Sequence, residues 1–502
     1  MTRTFFQAIA GVLMCVAACS CRALYPATHR AGAERLPDAY AAADAREGGA
    51  VSNLWWRSFG SRELDRLVDC ALEGSLSLLQ AAARLRQARA LERVAGSARV
   101  PDVAGTAGVG WSDRQSIAED GAKTGRTVET YSLGAAASYE VDLWGRVAAA
   151  HRSARLGADA LFFDLQTAMI TLAGRVTDVW LNTIEATEQV RLLDQQARTN
   201  REILDLMKSR LVKSRTPLLD VYQQEQNLRA VEALLPPARR RVELLRHELA
   251  VLLGRPVGEA PGVVATKLPA LPPRPATGVP ADLLENRPDV RSGWFRLEAA
   301  GYDVAAARAG RLPSVRLTAS HEYSADAPGE VLDSWASALA GALSAPLFDG
   351  GRRRSELARE RAVLEDRLAG YRQTVLAAMR EVEDALVTER RSREWLEALE
   401  RQFISADRVL QEAARGYRKG AVDYLTVLTS TRNKQQLERD LLSARRQLLS
   451  NRVLLYRALG GSWDGETRRL AERNAMREME RRHVLPLPTD ERPEPYRNKD
   501  AE

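Results

Sequence analysis

The sequence predicts an α+β membrane protein in which short β-strands alternate with very long helical hairpins, the whole arrangement being laid down twice. Three observations carry this reading. First, Gly145-Arg146 recurs as Gly351-Arg352, and Val176 and Asp178 recur as Val382 and Asp384, always 206 residues on. The same spacing pairs Lys213, Leu219, Val221 and Leu249 with Lys419, Leu425, Val427 and Leu455, and it still holds at Leu253-Gly254 and Leu459-Gly460. A gapless register of that length reads as a tandem duplication of one large unit. Second, no proline falls between Arg146 and Leu211 or between Arg352 and Tyr417. Third, the stretches ahead of these two runs alternate with period two.

At the N-terminus, Arg3 precedes an apolar run from Phe5 to Ala18 that is too short to span a bilayer. It ends at Val16-Ala17-Ala18-Cys19, followed by Ser20, and resembles a bacterial lipobox. Residues 1–18 are therefore expected to be a lipoprotein signal peptide, with residues 19–60 an extended segment lipidated at Cys19. Ser20 is compatible with sorting to the outer membrane. Cleavage at Cys21, or an ordinary secretory signal, fits the residues less well. Neither Cys21 nor Cys70 suggests a disulfide framework.

The first unit is placed at residues 61–254 and the second at 281–460, each an entry helix, two strands and a helical hairpin. In the first unit Val103, Gly105, Ala107, Val109 and Trp111 alternate with smaller residues, as do Tyr131, Leu133, Ala135, Ala137, Tyr139 and Val141. In the second, Val315, Leu317, Ala319, His321 and Tyr323 alternate with polar residues, and Trp335, Leu339, Leu343 and Leu347 carry a weaker version. Pro101 and Pro313 stand at the helix-to-strand junctions, where a helix cannot continue. The polar links Arg114–Val128 and Ala325–Asp333 read as exposed loops. Each alternating segment has the length of a tilted transmembrane strand. Alternation alone fits two soluble hairpins equally well; the lipobox favours the membrane.

Four strands cannot close a barrel, and lipid does not tolerate open edges. Three chains would supply twelve strands, so the expected assembly is a homotrimer with a 12-stranded barrel. Each proline-free run steps through apolar residues in the manner of a coiled coil, as at Leu165, Met169, Leu172, Val176 and Val179. At 1.5 Å per residue each run makes a rod of about 100 Å, which must pack against similar rods. The first rod turns near Ser214–Pro217 and the second near Gly420–Asp423, with Gly suited to ending a helix and Asp to capping the next. Return helices then run to Gly254 and Gly460. Residues 255–280, rich in Pro and Gly, read as a linker, and residues 461–502 as a charged, partly disordered tail.

Charge is high but nearly balanced, 73 Lys and Arg against 66 Asp and Glu, and the excess of +7 is scattered. No basic arm or interleaved aromatic stripe points to nucleic acid. The five histidines make no pair at metal-ligand spacing, and neither a nucleophile elbow nor a phosphate loop is present. No enzyme activity, metal or cofactor is expected, and His321 is expected at the lumen or an interface.

Several motifs, in this order, resemble TolC-like outer-membrane efflux proteins. Trp55-Trp56 with Phe59, Leu64 and Leu67, then Ala83-Arg84-Leu85, is similar to the family's entry helix. Tyr139-Glu140-Val141-Asp142-Leu143-Trp144-Gly145-Arg146 resembles its first strand-to-helix corner, and Pro346-Leu347-Phe348-Asp349-Gly350-Gly351-Arg352 its second. Arg287-Pro288-Asp289-Val290 and Leu459-Gly460-Gly461-Ser462-Trp463 complete the match, which covers roughly residues 50 to 463. The lipobox places the chain nearest the lipoprotein branch serving resistance-nodulation-division pumps.

The resemblance implies a trimeric outer-membrane barrel continued by an α-helical tunnel in the periplasm. It implies export of drugs or other small molecules from an inner-membrane pump through a periplasmic adaptor. Lys213, Ser214, Pro217, Gly420 and Asp423 match the tip turns where the adaptor docks. Leu425 would form an apolar constriction in the periplasmic aperture. The family's acidic ring is replaced by Thr426 and Thr429, whereas Asp220 matches the acid of the first tip. Ser214 stands where a Gly is expected, which bears on docking because a left-handed turn favours Gly. The same channel serving protein or peptide secretion, and a pore-less periplasmic scaffold, remain the competing readings.

Overall fold

The computed structural model describes residues 37, 39–41, 54–117, 123–259 and 261–460. Residues 1–18, expected to be a signal peptide, Cys19 and residues 461–502 lie outside them. After a 3-10 turn at Trp55–Phe59 come α1 (Arg62–Gly74) and α2 (Leu76–Ser97), then β1 (Asp102–Ile117) and β2 (Lys123–Val141). Helix α3 (Arg146–Val212) is followed by α4 (Leu218–Ala233) and α5 (Leu235–Leu252). The second half repeats the order: α6 (Leu283–Asn286), α7 (Pro288–Ala309), β3 (Ser314–Ala325), β4 (Trp335–Ser344), α8 (Arg352–Arg418) and α9 (Tyr424–Leu459). The two long helices have 67 residues each, about 100 Å at 1.5 Å per residue.

The chain divides into two compact units. One comprises Arg84–Asp164 and Asp289–Ala377 and holds the sheet; the other comprises Pro37–Ala83, Leu165–Pro288 and the chain from Ala378 onward.

In the first unit the strands form one antiparallel sheet in the order β1-β2-β3-β4, leaving β1 and β4 as edges. Pro101 and Pro313 each precede a strand by one residue, as expected. Directly opposite residues share a face. Val103↔Ala137↔Ala319↔Leu339 and Ala107↔Leu133↔Tyr323↔Trp335 therefore build one apolar face. Thr106, Ser132, Ser320 and Glu322, with Gly and Ala residues, form the other. On the apolar face Val109, Trp111, Trp335, Leu339 and Leu343 are all more than half exposed. His321 sits there in edge contact with Tyr323 (centroids 5.0 Å) and hydrogen-bonded to Ser337 Oγ at 2.7 Å.

The sheet corrects two expectations. Arg114–Ile117 and Lys123–Val128 are strand rather than loop: β1 runs to Ile117 and β2 starts at Lys123, with Arg114 opposite Arg126. Polar side chains do not stop a ladder whose backbone groups are paired, and Thr127 Oγ1 donates across it to Asp113 at 3.2 Å. Conversely β4 ends at Ser344, so Leu347, placed in the alternation by sequence, stands beyond the strand at 97% exposure.

In the second unit the expected seam of α3 is buried: Leu165, Met169, Leu172, Val176 and Val179 are all at most 6% exposed. Trp55 stacks on Tyr456 with centroids 5.4 Å apart. The α1–α2 bend is a close approach between glycines. A Cβ on Gly254 would lie 2.1 Å from the Gly74 carbonyl oxygen, so neither backbone tolerates a side chain there.

Two further expectations are revised in this unit. The first return helix is broken at Leu234, because Pro236 and Pro237 follow and cannot donate the backbone bonds a continuous helix needs. Its counterpart α9 is unbroken. The 255–280 segment is not a free linker. Val264 and Ala265 N–H donate to the Glu63 carboxylate at 2.6 and 3.2 Å, and Tyr456 Oη donates to the Pro273 carbonyl at 3.1 Å. Arg452, 1% exposed, donates to the Pro272 carbonyl while binding Glu389 through two bonds of 2.9 and 2.7 Å. We call this segment the strap.

Candidate functional site: helix tips and strand-helix corners

The tips are two turns of the same design. At the first, Ser214 N–H donates to Leu211 O at 2.8 Å and Arg215 N–H to Arg210 O at 3.0 Å. At the second, Gly420 N–H donates to Tyr417 O at 3.0 Å and Ala421 N–H to Gly416 O at 2.9 Å. This paired pattern is a Schellman motif, which needs a left-handed residue at the turn. Gly420 provides it at φ 76°, and Ser214 at φ 54°, the one non-glycine with positive φ among the described residues. The departure from Gly thus keeps the turn geometry and takes on the strain of a Cβ there. Lys213 is exposed beside it, and Pro217 N-caps α4 without a side-chain hydrogen bond.

Asp423 caps α9: its carboxylate accepts from Thr426 N–H at 3.1 Å and from the Thr426 hydroxyl at 2.7 Å. Those bonds, the hydroxyl's first, hold its pKa below the usual carboxylate value. Asp220 is shifted the other way, chiefly by burial and then by the Asp423 charge, with a hydrogen bond from Tyr417 opposing. The tip thus pairs two carboxylates in different states of comfort. On α9, Tyr424 and Leu428 are buried whereas Leu425, at 51% exposure, and Thr429 face out. Leu425 and Thr429 are one helical turn apart on one face. Thr426 spends its hydroxyl on the cap.

Behind the tips lies a buried polar chain that the sequence reading did not single out. Tyr424 Oη donates to Gln224 Oε1 at 2.6 Å, and Gln224 Nε2 to the Asn200 carbonyl at 2.7 Å. Asn227 Nδ2 donates to Asn200 Oδ1 at 2.9 Å. Gln196 Nε2 reaches the Gln435 carbonyl at 3.1 Å. Burial raises the Tyr424 pKa above its ordinary value, so its proton stays on this chain. The legible signal was Gln and Asn at helical spacing, Gln196 with Asn200 and Gln224 with Asn227, within otherwise apolar seams.

The corners are held by carboxylates at helix N-termini, where free N–H groups gather. Asp142 accepts from Val147 and Ala148 N–H at 3.1 and 2.7 Å, and Gly145 turns the chain at φ 73°. Trp144 Nε1 donates to the Pro313 carbonyl at 2.6 Å. At the second corner Asp349 accepts from Gly351 and Arg353 N–H at 3.1 and 3.3 Å, with Gly350 and Gly351 at φ 63° and 87°. Pro101, at the first helix-to-strand junction, is exposed.

A sheet with one lipid-type face, joined through capped corners to long helices that end in tight turns, is the architecture of an outer-membrane channel. Comparison with known proteins agrees. A family model described as outer membrane efflux protein matches residues 67–255 and 279–461. The pyoverdine export outer membrane protein OpmQ of Pseudomonas putida is 34% identical over 423 residues, covering 82% of this chain and 89% of OpmQ. Outer membrane protein OprJ of Pseudomonas aeruginosa is 30% identical over 449 residues, covering 87% and 92%. The solved structure of the outer-membrane channel OprN superposes with a TM-score of 0.79 at 29% identity, covering 86% of this chain and 98% of that one. The chain belongs to the outer membrane efflux protein family, and it is an outer-membrane channel component of an efflux pump.

Proposed function

We propose that three copies of this chain form a passive conduit for drugs or other small molecules, anchored by a lipid on Cys19 and served by a resistance-nodulation-division pump through a periplasmic adaptor. The observation that carries the reading is the sheet: one apolar, aromatic-edged face, one face of small and polar residues, and two unpaired edges. In lipid those edges must be paired, and a closed barrel pairs them. Twelve strands from three chains then surround a lumen lined by the polar face, and the helical hairpins continue it as a tunnel. The tips carry the adaptor-docking surface at Lys213, Ser214, Pro217, Gly420 and Asp423. Small-molecule cargo is supported by the relatives, OpmQ being named for pyoverdine export.

In this conduit Leu425, repeated three times, forms the apolar constriction at the periplasmic aperture. Thr426 and Thr429 bring no charge to it, so cation selectivity rests on Asp220 and is weak. Single-channel conductance in a planar bilayer tests this. Wild-type protein is expected to open rarely and narrowly, and Leu425→Ala to conduct more. Equal conductance of the two would remove Leu425 from the gate, and no conductance from folded, inserted trimers would remove the conduit.

A further inference from the structure

Within the four-stranded part of the sheet the apolar face carries a single basic side chain, His321, and transport through a lumen on the opposite face makes no use of it. Its row is Gly105↔Ala135↔His321↔Ser337, small residues apart from the imidazole. One row nearer the helices stand Val103 and Leu339, and one row further from them Leu133, Tyr323 and Trp335. Val103, Leu339 and Trp335 are more than half exposed. The imidazole therefore lies in a shallow notch between rows that hold larger side chains.

Three hydrogen-bonding groups gather there. His321 Nδ1 is bonded to Ser337 Oγ at 2.7 Å, and its ring meets Tyr323 edge-on at 5.0 Å and Trp335 at 5.5 Å between centroids. Among the described residues His321 Nε2, Tyr323 Oη and Trp335 Nε1 have no hydrogen-bond partner. With the Ser337 hydroxyl donating to Nδ1, the ring proton sits on Nε2, so all three groups can donate. Hydrocarbon offers them nothing, and leaving them unpaired there is costly. An ionisable side chain on a membrane-facing surface marks a functional site by default.

We propose that His321, together with Tyr323 and Trp335, binds the phosphate of a lipid in the outer leaflet. The proposal rests on the reading that this face meets lipid in a closed barrel with the helices in the periplasm. Helices α7 and α8 join the sheet at Ser314 and Ser344, so the notch lies towards the opposite, outer end of the strands. Tyrosine and tryptophan settle at the level of lipid headgroups. His321 stands two residues deeper than Tyr323, about 7 Å along the strand at about 3.4 Å per residue. Phosphate offers several acceptor oxygens to the three donors, where an ester carbonyl offers one. The small row of Gly105 and Ala135 leaves space beside it for the first carbons of an acyl chain.

Native mass spectrometry of the delipidated full-length protein in detergent tests it. The probes are dioctanoyl phosphatidic acid, dioctanoylglycerol, which has the same chains without the phosphate, and inorganic phosphate. Wild type should bind the phosphatidic acid at least about fivefold more tightly than dioctanoylglycerol, the equivalent of one net hydrogen bond. Inorganic phosphate should not displace it. His321→Phe keeps a ring against Tyr323 and Trp335 but has no nitrogen, and should lose the preference. Leu339→Ala removes only apolar surface and should keep it. No preference in wild type, the same preference in His321→Phe, or an equal loss in Leu339→Ala would overturn the site, and displacement by inorganic phosphate would overturn its assignment to a lipid.

Two cysteine variants in a Cys70→Ser background test the reading beneath it, since Cys70 is an exposed thiol. In outer membranes a membrane-impermeant maleimide should label Ala340→Cys above the level of the Cys70→Ser parent and spare Leu339→Cys. Equal labelling of the two would overturn the lipid-facing assignment of the face rather than the phosphate site alone.

Discussion

Arg452 and Glu389 make a buried ion pair, 1% and 3% exposed, whose two parallel bonds place it among the strongest contacts in the helical unit. Arg452 also ties down the strap through the Pro272 carbonyl. Replacing it by Met leaves the Glu389 carboxylate buried with, among the described residues, Arg393, half exposed and 3.4 Å away, as its cationic partner. Removing one member of a buried pair costs about 3–5 kcal/mol, and Arg393 puts this case near the lower end. Replacing both members, Arg452→Met with Glu389→Leu, leaves no buried charge and is expected to cost only about 1–2 kcal/mol, mostly for the Pro272 carbonyl that loses its donor. Unfolding of detergent-solubilised protein in denaturant gives the four corners of the cycle, with a coupling of at least about 2 kcal/mol expected. Limited proteolysis supplies a second readout, since both variants should be cut faster within the strap between Lys267 and Pro273. A double variant as unstable as the two single losses combined would refute the reasoning, because it would mean the side chains act independently.

Three further outcomes follow from the geometry. Ser214→Gly relieves the left-handed strain and, after the backbone entropy Gly loses, should stabilise by about 0.5–1 kcal/mol with the turn unchanged; a lower denaturation midpoint would count against it. Asp220 has a raised folded pKa, so its ionisation opposes folding above that pKa and the opposition disappears as pH falls through it. Asp423, lowered, contributes stability that is present above its unfolded value and lost as pH falls through the folded one. Asp220→Asn should therefore be more stable than wild type at neutral pH, with the gap closing in mild acid before the Asp423 cap is lost; melting curves across pH that stay parallel would contradict this. Leu339→Arg places a charge on the lipid-type face and should cost about 2–4 kcal/mol near mid-membrane, whereas Ala340→Arg on the other face should cost far less; equal loss of heat-stable assembly would show that the faces were assigned wrongly.

The elements governed by local repetition were readable from the sequence. Strand alternation, the proline-free runs and the turn residues act through neighbours a few residues away, and the strands and long helices fall where those signals put them. What escaped was set by distant partners. The strap reads as a linker because Pro and Gly dominate it, yet Glu63, Arg452 and Tyr456 fix its backbone from far along the chain. The polar ends of β1 and β2 read as loop because composition masks a ladder that backbone pairing sustains. Pro236 and Pro237 stand inside a segment that the sequence reading takes as one return helix to Gly254, and they break it at Leu234. At the tip, Ser214 in place of Gly bore on the turn's geometry, whereas Ser214 takes a φ of 54° within the same hydrogen-bond pattern that Gly420 makes.

The two bare edges of the sheet bear on heredity as well as on form. In the proposed trimer no chain can close its own barrel, so a chain that folds but cannot complete a seam disables the partners it joins. A cell making sound and defective copies in equal amounts, mixed at random, would keep about one conduit in eight free of the defect. Seam lesions should therefore behave as dominant, whereas alleles that prevent folding altogether leave the sound chains to assemble among themselves and should be recessive.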